Sequence, residues 1–135
     1  MQKICYLVVD NYHTEVIYES SSISIESLYS FFNQLASWHL TSIDGYRKAV
    51  KKQIGLKYNI PFYFSSSLFL FYLNDHHRKY WINYFALKNI FYAKGSFNFC
   101  FKNGCELTVV ISKRKILNSI SKINAIIDYI NKFLG

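Results

Sequence analysis

A cluster of cationic side chains stands in the middle of the chain, at Arg47, Lys48, Lys51 and Lys52. Spacings of three and four residues relate them, and these spacings place side chains on one side of a helix. Ammonium and guanidinium groups held together in this way donate hydrogen bonds to phosphate oxygens and neutralise their charge. The pattern therefore predicts a phosphate-binding surface, as a nucleic-acid backbone would require.

Two further basic segments have the same chemistry. His76-His77-Arg78-Lys79 lies in a segment, 74–79, that we predict to be a loop, and all four side chains can donate to phosphate oxygens. Adjacent histidines in a loop point in different directions, so we do not expect them to chelate a metal ion. Together with the start of the last predicted helix, the basic residues of these segments are Arg47, Lys48, Lys51, Lys52, Arg78, Lys79, Lys113 and Arg114.

The charge balance favours an anionic partner. A net charge of +8 and a pI near 9.4 point to nucleic acid or to an anionic membrane surface. The abundance of Lys, Asn, Ile, Tyr and Phe is also what AT-rich codon usage produces, so the clustering of charge carries more weight than its sum. No apolar run approaches the roughly 18 to 20 residues that span a bilayer, and Asp10 comes too early for a secretory signal. We expect a cytoplasmic, nucleoid-associated protein with no membrane partner.

Enzyme motifs are missing from the sequence. It contains no GxSxG, HExxH, P-loop or GxGxxG, and its five glycines are scattered. We expect no enzymatic activity, no cofactor and no small-molecule substrate. The three cysteines show neither a CxxC pair nor a histidine cluster, which favours reduced, mostly buried thiols. A reversible disulfide between Cys100 and Cys105, across a predicted Asn103-Gly104 turn, is the alternative.

A short amphipathic helix must carry the central cations. Thr41, with Asp44 three residues later, predicts an N-cap, and residues 42–55 are predicted to be helical. Gly55 ends this helix, and Pro61 opens an apolar strand. Its apolar stripe is Ile43, Tyr46, Val50 and Ile54.

The flanking segments predict a mixed architecture. Residues 3–19 form a predicted hairpin, apolar on both faces, which indicates burial between layers in its own core or, alternatively, at a subunit contact. After a polar link at 20–22, a helix follows with a core stripe of Leu28, Phe31, Phe32, Leu35 and Trp38, capped by Ser24 with Ser27 or by Ser22 with Glu26. The remaining predicted strands are 62–66, 68–73 and 81–92, the last bent near Ala86, and a hairpin at 96–111.

The last predicted helix begins at Lys113-Arg114-Lys115. Its apolar stripe either covers the sheet or pairs with a second copy of the chain. The stripe consists of Ile116, Ile120, Ile123, Ile127, Ile130 and Leu134, widened by Leu117, Ile126 and Phe133. The predicted fold class is α+β: one domain (1–135) with an N-terminal β-hairpin, two central helices, an antiparallel β-sheet and a C-terminal helix.

Part of this sequence resembles a known family. Thr41 to Ala49 resembles the small-small-x-acid-or-small-Gly-basic-basic segment of the competence transcription factor ComK family of Gram-positive bacteria. Pro61 matches that family's proline-led strand, Leu68 to Phe71 its aromatic strand, and Trp81-Ile82-Asn83 its Trp-Ile signature. Tyr46 departs from the pattern, because the family usually has a basic residue there.

This resemblance implies a transcriptional activator of DNA-uptake genes. It implies binding, as a dimer or a pair of dimers, to double-stranded AT-rich boxes through the minor groove. Arg47 would insert into the groove, while the lysines near it and the cations at 78–79 and 113–114 would contact phosphates. The competing hypothesis is a protein-interaction module, or a degenerate regulator without DNA binding, whose exposed aromatic sheet binds another protein.

Overall fold

The computed structural model describes residues 3–11 and 13–133. It has the predicted α+β class, with antiparallel sheets and a C-terminal helix. The helices are α1 (Leu28–Ser37), α2 (Ile43–Gln53) and α3 (Lys113–Phe133). The strands are β1 (Ile4–Asp10), β2 (His13–Tyr18), β3 (Ser22–Ile25), β4 (Phe62–Ser65), β5 (Leu68–Asn74), β6 (Lys79–Asn83), β7 (Leu87–Ala93), β8 (Ser96–Phe101) and β9 (Glu106–Val110).

Six strands form the central sheet, in the order β3-β2-β1-β6-β5-β4. Strand alternation gives this sheet two apolar faces. On β5, Leu70 packs towards α1 and α2, whereas Phe69 and Phe71 pack towards the second sheet. The predicted burial of the N-terminal hairpin between layers is confirmed, since Leu7 belongs to one core and Cys5 to the other.

The second sheet, β7-β8-β9, and α3 cover the other face of the central sheet. Alternate residues of β8, Phe97, Phe99 and Phe101, point inwards and are buried. The two helices α1 and α2 lie on the opposite face, around buried Phe62 and Leu70. The molecule is therefore layered as helices, central sheet, then second sheet with α3.

The predicted strand 81–92 is in fact two strands that belong to different sheets. A single 3-10 turn at Tyr84–Ala86, close to the predicted bend, separates β6 from β7. The buried side chain of Asn83 fixes this crossing. Its carboxamide accepts from the Phe69 and Phe85 amides and donates to the Ile4 and Ser67 carbonyls. A run of aromatic residues does not show where the chain leaves one sheet for another, because aromatic residues are favourable in the strands of both sheets.

The segment before α1 differs from the prediction. Ser22–Ile25, expected to be a link and the helix cap region, pairs with β2 as the edge strand β3. Ser27 is the N-cap, and its hydroxyl accepts from the Ser30 amide at 3.1 Å. Trp38 lies beyond the last residue of α1 and is 59% exposed, so its assignment to the core was wrong.

The C-terminal helix packs on its own chain. Ile116, Ile123 and Ile126 are buried against the second sheet and the central sheet, as the first of the two predicted roles of this stripe requires. Leu117 and Phe133 are exposed and do not widen the stripe. Leu134 lies outside the described residues. Among the described residues, no helix is long and apolar enough to cross a membrane.

The three cysteines are free thiols. Cys5 is buried, and desolvation, with smaller contributions from Cys105 and Glu19, raises the pKa of this thiol to about 11. Cys105 forms no disulfide with Cys100, and its Sγ accepts a hydrogen bond from Asn103 Nδ2 at 3.3 Å. Gly104, at φ +93°, allows the turn that joins β8 to β9.

Candidate nucleic-acid interface

The N-cap of α2 lies one residue later than predicted. Ser42, not Thr41, is the N-cap, and its hydroxyl accepts from the Gly45 amide at 3.0 Å. Asp44 lies in the first turn, where the helix dipole favours an acid. Gly55, at φ +89°, follows the last turn as predicted. The predicted stripe is confirmed, with Ile43 and Val50 buried.

Tyr46 fastens α2 to the start of β4. Its hydroxyl donates to the Pro61 carbonyl at 2.7 Å and accepts from the Tyr63 amide at 3.0 Å. Burial raises the pKa of Tyr46 to about 12, although the hydrogen bond from the Tyr63 amide acts in the opposite direction. Tyr46 is thus a structural anchor beside Arg47.

Arg47 stands at one end of a row of aromatic rings. Its guanidinium carbon lies 5.5 Å from the centroid of the Phe62 ring, within cation–π range. The Phe62 and Trp81 centroids are 5.4 Å apart, and Trp81 stacks on Tyr72 at 5.2 Å and 20°. Tyr72 and Trp81 are only partly buried, so this aromatic row reaches solvent.

Lys79 lies on the same face of the sheet as this row. It lies two residues before Trp81 on β6, and alternate residues of a strand share a face, so Lys79 is on the α1 and α2 side of the sheet. Arg47 and Lys79 are therefore on one face of the central sheet, together with Phe62, Trp81 and Tyr72.

The other cations of α2 are exposed. Lys51 follows Arg47 by four residues and Lys52 follows Lys48 by four, so the four cations form two adjacent rows along the helix. Lys51 and Lys52 lie in the last turn, where the negative end of the helix dipole stabilises positive charge. The helix dipole consequently stabilises the charges of Lys51 and Lys52, and both side chains are exposed, so they can contact phosphate.

The β5–β6 turn is ordered by a carboxylate. Asp75 Oδ1 accepts from the His77 and Arg78 amides, both at 2.8 Å. Burial alone would raise the pKa of Asp75. The two amide hydrogen bonds, a further hydrogen bond from the Tyr80 hydroxyl and the interaction with His77 lower it by more, so the pKa lies below its usual value. Arg78 is exposed in the turn, whereas Lys79, predicted to be in the loop, begins β6.

The start of α3 lies beside this turn. A groove of about 560 Å³ is lined by Asn74, Asp75 and His76 from the turn, by Tyr92 and by Lys113. The Lys113 ammonium sits 4.3 Å from the Tyr92 ring centroid. Arg114 is exposed in the same helical turn but does not line the groove. Lys113, Arg114 and Lys115 begin α3. Positive charge at the N-terminus of a helix opposes the helix dipole and destabilises the helix, unless an anion lies nearby.

The predicted cations fall into two groups: Arg47, Lys48, Lys51, Lys52 and Lys79 lie on the α2 side of the central sheet, and Lys113 and Arg114 lie with α3 on the other side. Arg78 is in the β5–β6 turn, where it lines a smaller groove together with Lys79, Asp10 and His77. Sequence reasoning missed Tyr72 and Tyr92, the aromatic residues next to the cations. Only their alternation within strands, in register with Trp81 or Phe97, could have indicated them.

No group of three or more His, Cys, Asp or Glu residues is placed to hold a metal ion in the part of the chain that the structure describes. Comparison of the chain with protein-family models, with curated proteins and with solved structures found no match. The ComK likeness therefore rests on the motifs described above and remains a prediction.

Proposed function

We propose that this protein is a transcriptional activator similar to ComK, which binds AT-rich DNA boxes through the minor groove as a dimer or a pair of dimers and switches on DNA-uptake genes. The observation that carries the proposal is the placement of Arg47 and Lys79 on one face of the central sheet, together with the aromatic row. DNA binding requires cations that act together on one surface.

The physical properties of AT-rich DNA suit this surface. A-tracts have a narrow minor groove with enhanced negative potential, which attracts an inserted Arg side chain without base-specific hydrogen bonds. Arg47 is exposed and is held by a ring contact, so little is lost when it turns towards DNA. Lys48, Lys51, Lys52, Arg78 and Lys79 contact phosphates on either side and set the register of the protein, whereas Lys113 and Arg114 lie with α3 on the other side of the central sheet.

A binding measurement at two salt concentrations tests this function. Purified protein is titrated with AT-rich and GC-rich duplexes of equal length, at about 50 and 200 mM salt. We expect tighter binding to the AT-rich duplex and a steep loss of affinity at the higher salt, because counterion release drives phosphate contacts. Binding that is absent, or unaffected by salt, would remove the proposal.

A second candidate function is supported by the outer face of the second sheet. Phe91 and Val110 are 56% and 63% exposed there, at outward positions of β7 and β9. Such a partly aromatic face suits a protein partner. Phe91→Ser would disrupt this function and leave the salt-dependent affinity for DNA unchanged.

A further inference from the structure

Cys5 lies at an irregular point of β1. The pairing of β1 with β2 shifts between Ile4 and Tyr6, so Cys5 is inserted there as an extra residue. A bulge of this kind allows two consecutive side chains to lie on one face of a sheet. Cys5 is accordingly buried in the core between the two sheets, and Tyr6 packs against the same core.

Cys105 faces this core from the second sheet. It lies opposite Phe101 at the end of the β8–β9 hairpin, where the Phe101 amide donates to the Cys105 carbonyl at 2.9 Å. Directly opposite residues of an antiparallel pair share a face, and Phe101 points inwards, so Cys105 points inwards as well. Its partly buried side chain packs against the core that contains Cys5. Cys100 pairs with Glu106 one position further along, so it lies on the outer face of this sheet.

Two contacts hold the β8–β9 turn beside β1. Tyr6 stacks on Phe101, with the ring centroids 5.6 Å apart and 26° between the ring planes. Asn103 Nδ2 donates to the Glu19 carbonyl at 2.9 Å, and the Glu19 amide donates to the Lys3 carbonyl at 3.2 Å. The turn is thus tied to the chain on both sides of the cysteine in β1.

The thiols of Cys5 and Cys105 are close enough to interact electrostatically. Burial is the main cause of the raised pKa of Cys5, and the charge of Cys105 is the next cause. The same two causes, in the same order, raise the pKa of Tyr6. These interactions agree with the contacts of the turn, which bring Cys105 up to the Cys5–Tyr6 segment of β1.

We propose that Cys5 and Cys105 are a redox-active pair, which a low-molecular-weight disulfide such as oxidised glutathione converts reversibly into a disulfide bond between β1 and the β8–β9 turn. The turn residues 102–104 are exposed, so Cys105 can move towards Cys5 without disturbing the core. The bond lies between the two sheets, and Arg47 is on the opposite face of the central sheet. The pair is therefore independent of the proposed DNA-binding surface.

The reaction proceeds by two thiol–disulfide exchanges. Cys105 reacts first, because it is partly exposed whereas Cys5 is 1% exposed. Its thiolate attacks one sulfur of the small disulfide, which forms a mixed disulfide and releases one small thiolate. The Cys5 thiol then loses its proton and attacks the Cys105 sulfur, which releases the second small thiolate. Two protein thiols thus lose two electrons and two protons, and the small disulfide is reduced to two thiols.

Mass spectrometry of the full chain tests the pair. Trypsin cleaves after Lys and Arg, so each cysteine falls in a peptide of its own: Cys5 in 4–47, Cys100 in 95–102 and Cys105 in 103–113. The native protein is incubated with excess oxidised glutathione, its remaining thiols are blocked in denaturant, and it is digested without reduction. We expect peptides 4–47 and 103–113 to be joined in monomeric protein and to separate after reduction. A Cys5 that stays a thiol, a bond between Cys100 and Cys105, or a bond found only between two copies would overturn the proposal.

Two variants test whether the bond forms within the native fold. Cys100→Ser keeps the pair, whereas Cys105→Ser removes it at a partly exposed position and leaves the buried Cys5 in place. A bond between β1 and the β8–β9 turn closes a loop over most of the chain, which restricts the unfolded state. We expect oxidation to raise the urea concentration at the midpoint of unfolding in the native protein and in Cys100→Ser, but not in Cys105→Ser. No shift in Cys100→Ser, or an equal shift in Cys105→Ser, would contradict the pairing.

Discussion

The Tyr46 hydroxyl donates a 2.7 Å hydrogen bond to the Pro61 carbonyl oxygen and thereby joins α2 to the strand that carries Phe62. Phe62 is the ring over which Arg47 lies. One partly buried side chain thus sets the distance between the cationic helix and the aromatic row. The position of Arg47 therefore depends on the hydrogen bond of Tyr46 as well as on the contact of Arg47 with Phe62.

Tyr46→Phe is expected to lower the free energy of unfolding by about 1 to 3 kcal/mol. The substitution keeps the ring but leaves the Tyr63 amide without its acceptor in a partly buried place. Urea unfolding, followed by circular dichroism, measures the change. Tyr58→Phe is the control, because Tyr58 is 78% exposed and its hydroxyl should contribute little. Equal stability of the two variants would contradict the anchoring role.

The same tyrosine makes the fold sensitive to alkali. Because the pKa of Tyr46 is raised from 10.0 to about 12 in the folded protein, the folded state binds more protons between these values. The contribution of this pKa shift to the free energy of unfolding is fully present below pH 10 and is lost as the pH rises through 12. The full loss amounts to roughly 3 kcal/mol. Unfolding free energies at pH 9 and pH 11 should therefore differ less in Tyr46→Phe than in the native protein. An identical pH dependence would show that another group is responsible.

Asn83→Ala is expected to be among the most damaging single substitutions, at about 3 kcal/mol or more. The Asn83 carboxamide is 1% exposed and is bonded to four backbone groups on β1, β5 and the turns beside them. Removing it leaves those groups buried without partners. Asn98→Ala, which removes one hydrogen bond on the outer face of the second sheet, serves as the control in the same unfolding experiment. A loss below 1 kcal/mol for Asn83→Ala would mean that the crossing between the sheets is fixed by packing alone.

The elements with strong local signals could be predicted from the sequence. Gly55 and Pro61 mark the end of α2 and the start of β4, and both occur where expected. The strand β3 could not be predicted, because Ser22 and Ser24 look like a polar link and become a strand only through pairing with β2. The bend near Ala86 was predicted, but the change of sheet at Tyr84–Ala86 was not, because it depends on which distant strands pair with β6 and β7. Both features depend on contacts between distant parts of the chain.

The candidate site shows the same division. The cations of α2 were predicted from helical spacing, which is a local property. Their relation to Tyr72 and Trp81 depends on the register of β5 and β6, which pairs these two residues, and on the packing of Phe62 against Trp81. No pattern within a single segment contains that information.

The aromatic row should report on DNA directly. In a Trp38→Phe background, Trp81 is the remaining tryptophan, and it lies between Phe62 and Tyr72. We expect its fluorescence to change when an AT-rich duplex is added, because the duplex covers this half-exposed row. Tyr72→Ala should weaken binding and alter the signal, whereas Tyr129→Ala, on α3, should not. Salt-dependent binding with no change in Trp81 emission would place the DNA elsewhere on the protein.

Arg47→Ala is the most direct test of groove insertion. It should weaken binding to an AT-rich duplex by about 1 to 3 kcal/mol and reduce the slope of log affinity against log salt by about 1. Stability should change by less than about 1 kcal/mol, since an exposed cation–π contact contributes no more than that. Lys102→Ala is the matched control, because Lys102 is an exposed cation in the β8–β9 turn, next to Asn103, which bonds the Glu19 carbonyl. An equal loss of affinity in both variants would indicate attraction by overall charge, without insertion. A loss confined to Arg47→Ala and larger on AT-rich than on GC-rich DNA is expected if the guanidinium enters the narrow groove.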